Sequence, residues 1–218
     1  MSAPADTATP EGGAAPPAQR ILDAAVLAID ERGEAALRVQ DIVRVAGVQV
    51  PVLYRHFGNR EGLVQAAQLE RLRRDLAAEM AAIHAAMDTA STAEEFRALI
   101  EVVLERMTTP ERRLPRSRRV NVLGSTYGRP ELVAEVAAAQ RIAIDWIADL
   151  LARPAALGWL REGLDPRTFA VWFGGAAIGR IVAELDPDRV DFAAYDEMWA
   201  DAVRFTLFGR AGAPGANG

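Results

Sequence analysis

The chain of 218 residues carries 25 basic and 30 acidic side chains, a formal net charge of −5, and half of it is hydrophobic. That apolar fraction excludes wholesale disorder, and no apolar run reaches the ~18 residues a membrane helix needs. The absence of cysteine excludes disulfides and thiolate metal sites.

The N-terminus lacks the charged and apolar regions of a signal peptide, which points to a cytoplasmic protein. Residues 1–17 are mostly Ala, Pro, Gly and Thr, a composition expected to form a disordered tail. A helix is predicted over Ala18–Arg32, with Ile21, Ala25 and Ile29 on one face and Gly33 as its stop. Val39, Ile42, Val43 and Ala46 then recur at i, i+3, i+4 and i+7, one face of a two-turn helix. Gly47 supplies the sharp turn, and Leu53 and Phe57 form the inward pair of a following helix. Two short helices about such a turn are a helix-turn-helix, whose second helix enters the DNA major groove. The overall negative charge opposes DNA binding, yet Ala36–Arg60 holds Arg38, Arg44, Arg55 and Arg60 against Asp41 alone.

Gly58-Asn59 breaks the chain before a long helical pattern from Arg60 to about Met87. Ser91-Thr92-Ala93-Glu94 has capping-box spacing, which places Ser91 as the cap and Glu94 as its partner for a helix to about Thr108. Pro110 and Pro115 bracket a basic segment, and Pro130 opens a helix to about Leu151 that can resume after Pro154. Asp165-Pro166 starts a helix to about Leu185, and Asp191 caps a last one through Phe208. The end of the chain, 210–218, reads as a second tail. No strand pattern of useful length occurs, so the fold class is all-α with about nine helices.

From Ile21 to Leu63 the runs ILDAAVLAIDERG, VQDIVRVAGV and PVLYRHFGNREGL resemble, in order and spacing, the TetR family of bacterial transcriptional regulators. The resemblance implies an N-terminal three-helix DNA-binding domain (18–62) and a C-terminal helical bundle (63–209) for ligand binding and dimerisation. It carries base-edge contacts onto Gln40, Val50, Pro51 and Val52, and phosphate contacts onto Tyr54, His56 and Arg60. Gln49 begins the recognition helix. Arg38 and Arg55 can meet phosphate or guanine or else form a solvated face, and Arg44 is assigned an intramolecular role. The chain departs from the family at Arg38 and Gln49, where helix-capping Ser or Thr is common, and at Val50-Pro51-Val52, where Lys-Gly-Thr is common. Both caps should be weak, and the groove face unusually apolar.

In the second domain Phe96, Ile100, Val103, Met107, Tyr127, Trp146, Trp172 and Phe173 have spacings compatible with lining a cavity, with Asn121 and Asp145 as polar anchors. Gly174-Gly175-Ala176-Ala177 permits close backbone approach. The resemblance makes Gly174, Gly175, Ala177, Ile178, Trp199 and Val203 candidates for a homodimer interface. Arg112, Arg113, Arg116, Arg118 and Arg119, opposed only by Glu111, are read as a solvated face, the alternatives being an anionic effector site or a contact to the DNA-binding domain. His56 belongs to the DNA motif and His84 stands alone, so no triad, metal cluster or phosphate loop points to an enzyme. The expectation is a cofactor-free regulator, a repressor released from double-stranded operator DNA by an apolar or amphipathic small molecule, with no membrane partner. The alternative is a helical interaction or ligand-binding module without DNA function.

Overall fold

The computed structural model describes residues 15–87 and 90–209. Among them every regular element is helical, in ten α segments of which nine have eight residues or more. In order these are α1 (Pro17–Arg32), α2 (Val39–Ala46), α3 (Val50–Phe57), α4 (Arg60–Met87), α5 (Ala93–Thr108), α6 (Arg113–Ser125), α7 (Pro130–Ala156), α8 (Pro166–Gly179), the single turn α9 (Ile181–Glu184) and α10 (Phe192–Phe208). The expected tails fall outside the described residues save for 15–17, and Pro17 is already helical. His84 likewise has no described side chain.

The chain divides into two units, one up to Ala67 and one from Gln68 onward, against the boundary at 62/63 expected from the sequence. In the first, Ile21, Ala25 and Ile29 of α1 are buried with Ile42, Val43 and Ala46 of α2, Leu53 of α3 and Leu63 of α4. Gly33 ends α1 at φ +77°, its amide donating to the Ile29 carbonyl. Gly47 ends α2 in the left-handed region at φ +63°, its amide donating to Arg44 while the Val48 amide reaches back to the Val43 carbonyl at 3.0 Å. That paired closure is a Schellman motif, which fixes the direction in which the chain leaves α2.

The second unit has two apolar clusters. One gathers Phe96, Ile100 and Leu104 of α5 with Leu151, Phe169, Val203 and Leu207. The other gathers Leu69, Leu72 and Leu76 of α4 with Val122 and with Leu132, Val136, Ala139 and Ala143 of α7.

Several helix limits differ from those read in the sequence. The cap of α5 is Thr92, not Ser91: its hydroxyl accepts the Glu95 amide at 3.1 Å, and the Glu95 carboxylate accepts the amides of Thr92 at 3.2 Å and Ser91 at 2.6 Å. Ser91-Glu94 and Thr92-Glu95 have the same spacing, so spacing alone left the register open by one residue. The basic segment between prolines is itself helical, because Pro115 lies in the first turn of α6, where amides have no partner within the helix. Helix α7 does not stop at Leu151 but runs through Pro154, which lies two residues before its end and deprives it of a single hydrogen bond. Helix α8 stops at Gly179 rather than Leu185, with a break at Arg180 before α9.

Candidate nucleic-acid interface and ligand cavity

Helix α3 presents two unlike faces. Leu53 is fully buried, and Val50, Val52 and Phe57 pack partly against the same core. Pro51, Tyr54, Arg55 and His56 are exposed, as are Gln49 just before the helix and Gln40 on α2. The groove face is thus less apolar than the run Val50-Pro51-Val52 suggests: a helix of 3.6 residues per turn turns its two valines partly inward and leaves Pro51 outside. Neither Arg38 nor Gln49 caps its helix through a side chain, so both starts rest on backbone geometry alone. Pro51 takes the second helical position, where its missing amide costs no intrahelical bond.

Three basic residues make contacts within the domain. Arg44 pairs with Asp41 at 2.5 Å one turn away. The half-buried Arg60 donates from Nε to the Leu37 carbonyl at 3.2 Å and from a terminal nitrogen to the Glu34 carbonyl at 2.8 Å. Its guanidinium therefore ties the start of α4 to the turn after α1, a structural role that the sequence did not give it. Arg38 donates to the Ala35 carbonyl at 3.0 Å and stays exposed.

Two residues that the sequence reading passed over set the corner between α3 and α4. Asn59 accepts the Gly62 amide at 2.8 Å and so caps α4. A Cβ on Gly62 would fall inside 3.0 Å of the Phe57 carbonyl oxygen, at the end of α3. Glycine is required there by close backbone approach, and the helix-starting Asn-x-x-Gly pattern was visible in the sequence without its packing reason.

The second unit holds a cavity of about 650 Å³, partly open to solvent, among α4, α5, α6, α7, α8 and α10, within the range that receives drug-sized molecules. Of the residues proposed to line it, Ile100, Val103, Met107, Trp146 and Phe173 do so. The others do not. Phe96 is core, 6.0 Å from the Trp159 ring and edge-on to Phe208 at 6.2 Å. Tyr127 is 94% exposed and Trp172 is also exposed. Asp145 pairs with Arg167 on the surface. Asn121 accepts hydrogen bonds from Gln68 at 3.3 Å and Arg71 at 2.8 Å, away from the cavity. Periodicity identifies the inward face of a helix, but not whether that face meets another side chain or a void.

The residues expected at a dimer interface fall in three settings within the subunit. Val203 is core at 1% exposure, and Gly174, Gly175, Ala177 and Ile178 lie along the cavity. Trp199 is half-buried, its ring 5.8 Å from that of Phe173.

Three of the five arginines in the run do not form a solvated face, whereas Arg113 is exposed and Arg118 lies outside the cavity lining. Arg116 is 4% exposed; it forms an ion pair with Glu184, itself 5% exposed, and donates to the Met107 carbonyl at 2.8 Å. Arg112 pairs with Glu79, and Arg119 donates to Gln140 at 2.8 Å with Glu79 3.6 Å away. Burial, more than any neighbouring charge, pushes the Arg119 pKa down. Arg112, Arg116 and Arg119 all line the cavity. Their spacing of i, i+4 and i+7 is the signal that could have placed them on one inward face.

These features define a class: a helix-turn-helix domain with an exposed recognition surface, joined in one chain to a helical domain that holds a ligand-sized cavity. Residues 21–67 match the family described as bacterial regulatory proteins, tetR family. No curated protein matches the chain. Among solved structures, one from Rhodococcus sp. assigned to the TetR family of transcriptional regulators is 24% identical, with 88% of this chain and 98% of that chain covered and a TM-score of 0.64. A structure from Saccharomonospora viridis in complex with choline is 21% identical over 87% of this chain and 96% of that one, at a TM-score of 0.63. The complex of SmeT, a repressor from Stenotrophomonas maltophilia, with triclosan is 24% identical over 92% and 96%, at 0.57. Likeness at these identities is one of fold. The chain carries the N-terminal domain of the tetR family and has the fold of TetR-family transcriptional regulators.

Proposed function

We propose that this protein is a sequence-specific DNA-binding transcriptional regulator, a cytoplasmic homodimeric repressor released from its operator by a small molecule. The observation that carries the reading is the exposed row Gln40, Gln49, Pro51, Tyr54, Arg55 and His56, held out by a fully buried Leu53. Tyr54 and His56 suit phosphate oxygens, Gln40 and Gln49 suit base edges, and Pro51 suits a thymine methyl group. A dimer is supported by Val171, Val182, Leu185, Met198 and Phe205, each more than half exposed on α8, α9, α10 and the segment after α9. Large apolar side chains left in water favour association with a complementary face. Two such subunits would set their recognition helices in successive major grooves about 34 Å apart.

Small molecules are bound in the similar structures, triclosan in SmeT and choline in the S. viridis protein, which supports reading the 650 Å³ cavity as the effector site of this protein. An effector that prefers the dimer geometry with the wrong helix spacing would draw the population away from DNA. The test is an electrophoretic mobility assay with the DNA upstream of the gene. A retarded band at low salt that Tyr54→Ala abolishes, with helicity unchanged, supports the proposal. Failure to retard that DNA or any palindromic fragment at low salt favours a ligand-binding module without DNA function.

A further inference from the structure

The cavity that serves here as the effector site is unevenly lined. Its walls are largely aliphatic and aromatic, but four arginines, Arg112, Arg116, Arg119 and Arg141, face it against two carboxylates, Asp75 and Glu79. Glu79 serves both Arg112 and Arg119, its 3.6 Å separation from Arg119 is too long for a hydrogen bond, and Asp75 adds only a weaker charge to Arg119 while standing 3.5 Å from Arg118. Arg116 has its own carboxylate, Glu184, but Glu184 also accepts from Arg180 at 2.6 Å. The Nε–H groups of Arg112, Arg116 and Arg119 are all buried without an acceptor. Buried donors in folded proteins nearly always have partners, and three such groups lining one cavity, from α6 and the turn before it, are an unusual concentration. Arg116 in particular is 4% exposed, so water is largely kept from it.

We propose that the effector is an amphipathic anion: a carboxylate head accepts from Arg112, Arg116 and Arg119, and an apolar body lies against Ile100, Val103, Met107, Ile147 and Phe173. The proposal rests on the cavity being the effector site. A planar carboxylate has lone pairs for two guanidinium donors at once and supplies the negative charge that Glu79 divides between two arginines. Burial strengthens such contacts, as the lowered pKa of Arg119 reflects: its charge has lost water without full compensation. The apolar body would displace water from the remaining wall, which supplies binding energy but no direction.

Isothermal titration calorimetry with decanoate, decanamide and decylammonium, each below its aggregation concentration, tests the assignment. The wild-type protein should bind decanoate at least about tenfold more tightly than the amide, as expected for hydrogen bonds to a charged group, and decylammonium more weakly still. Arg119→Gln should bring decanoate and decanamide to within about threefold at unchanged melting temperature, because its side chain, unlike that of Arg116, retains some solvent access. Arg112→Gln is the second variant, in case the first is unstable. Equal or tighter binding of the amide or the ammonium, or no binding of decanoate, overturns the proposal. Operator retardation measured on the same preparations keeps the two readings apart. A protein that selects decanoate yet retards no DNA retains the anion site and loses the regulator reading, and the reverse result does the opposite.

Discussion

Replacing Gly62 with alanine sets two effects of opposite sign against each other. Gly62 lies in the first turn of α4, where intrinsic propensity favours alanine by at most about 1 kcal/mol. A Cβ at this position, however, would stand inside 3.0 Å of the Phe57 carbonyl oxygen and 3.4 Å from its carbon. The obstacle is backbone at the end of the recognition helix, so no rotamer change relieves it, and α3 must move away from α4. Overpacking of this kind costs about 1–3 kcal/mol, and the displacement also strains the cap in which Asn59 accepts the amide of residue 62. The clash should win, with a net loss of about 1–2 kcal/mol. Urea unfolding followed by circular dichroism gives the stability, and operator retardation gives the consequence, a larger loss of DNA affinity than the residual unfolded fraction explains. A variant as stable as the wild type or more so, with undiminished operator binding, would show that propensity governs the site and that the α3–α4 corner is not held by this contact.

Other outcomes follow from single contacts. Tyr54→Phe removes only a hydroxyl from an exposed ring, and should weaken operator binding about tenfold if that group meets a phosphate, with the melting temperature unmoved. Thr92→Ala should destabilise the second domain by about 1 kcal/mol, while Ser91→Ala should be neutral, since Ser91 contributes to the cap only its backbone amide; equal effects in chemical denaturation would place the cap elsewhere. The Asp165 carboxyl is held below the usual range by the Thr168 side chain and amide. Its cap therefore stabilises α8 at neutral pH and is lost as pH falls through the lowered folded-state value. Asp165→Asn should accordingly show a shallower decline in stability between pH 5 and pH 2 (about the carboxylate range) than the wild type in denaturant titrations.

The first unit was largely legible because its signals are local. Gly33 and Gly47 stop their helices at positive φ, and the i, i+3, i+4 spacing of Val39, Ile42, Val43 and Ala46 reports a face that tertiary packing then buries. The same periodicity in the second unit misled at Phe96 and Tyr127. Phe96 meets other rings and Tyr127 meets water, whereas Ile100 and Met107 line the cavity. A sequence pattern orients a side chain relative to its own helix and carries no information on what stands opposite.

By itself, the sequence determined an all-helical chain, the helix-turn-helix with its buried Leu53, and the stops and starts set by Gly, Pro and Asp, because these depend on neighbours within a turn or two. Only the tertiary structure decided that Arg60 ties α4 to carbonyls more than twenty residues earlier, that Gly62 admits the end of α3, and that three arginines of a run resembling a solvated face, Arg112, Arg116 and Arg119, lie along a cavity. Each of these depends on groups brought together from distant positions in the chain. Burial then decides what their charges and donors require, and at the cavity wall it leaves the Nε–H groups of Arg112, Arg116 and Arg119 without acceptors.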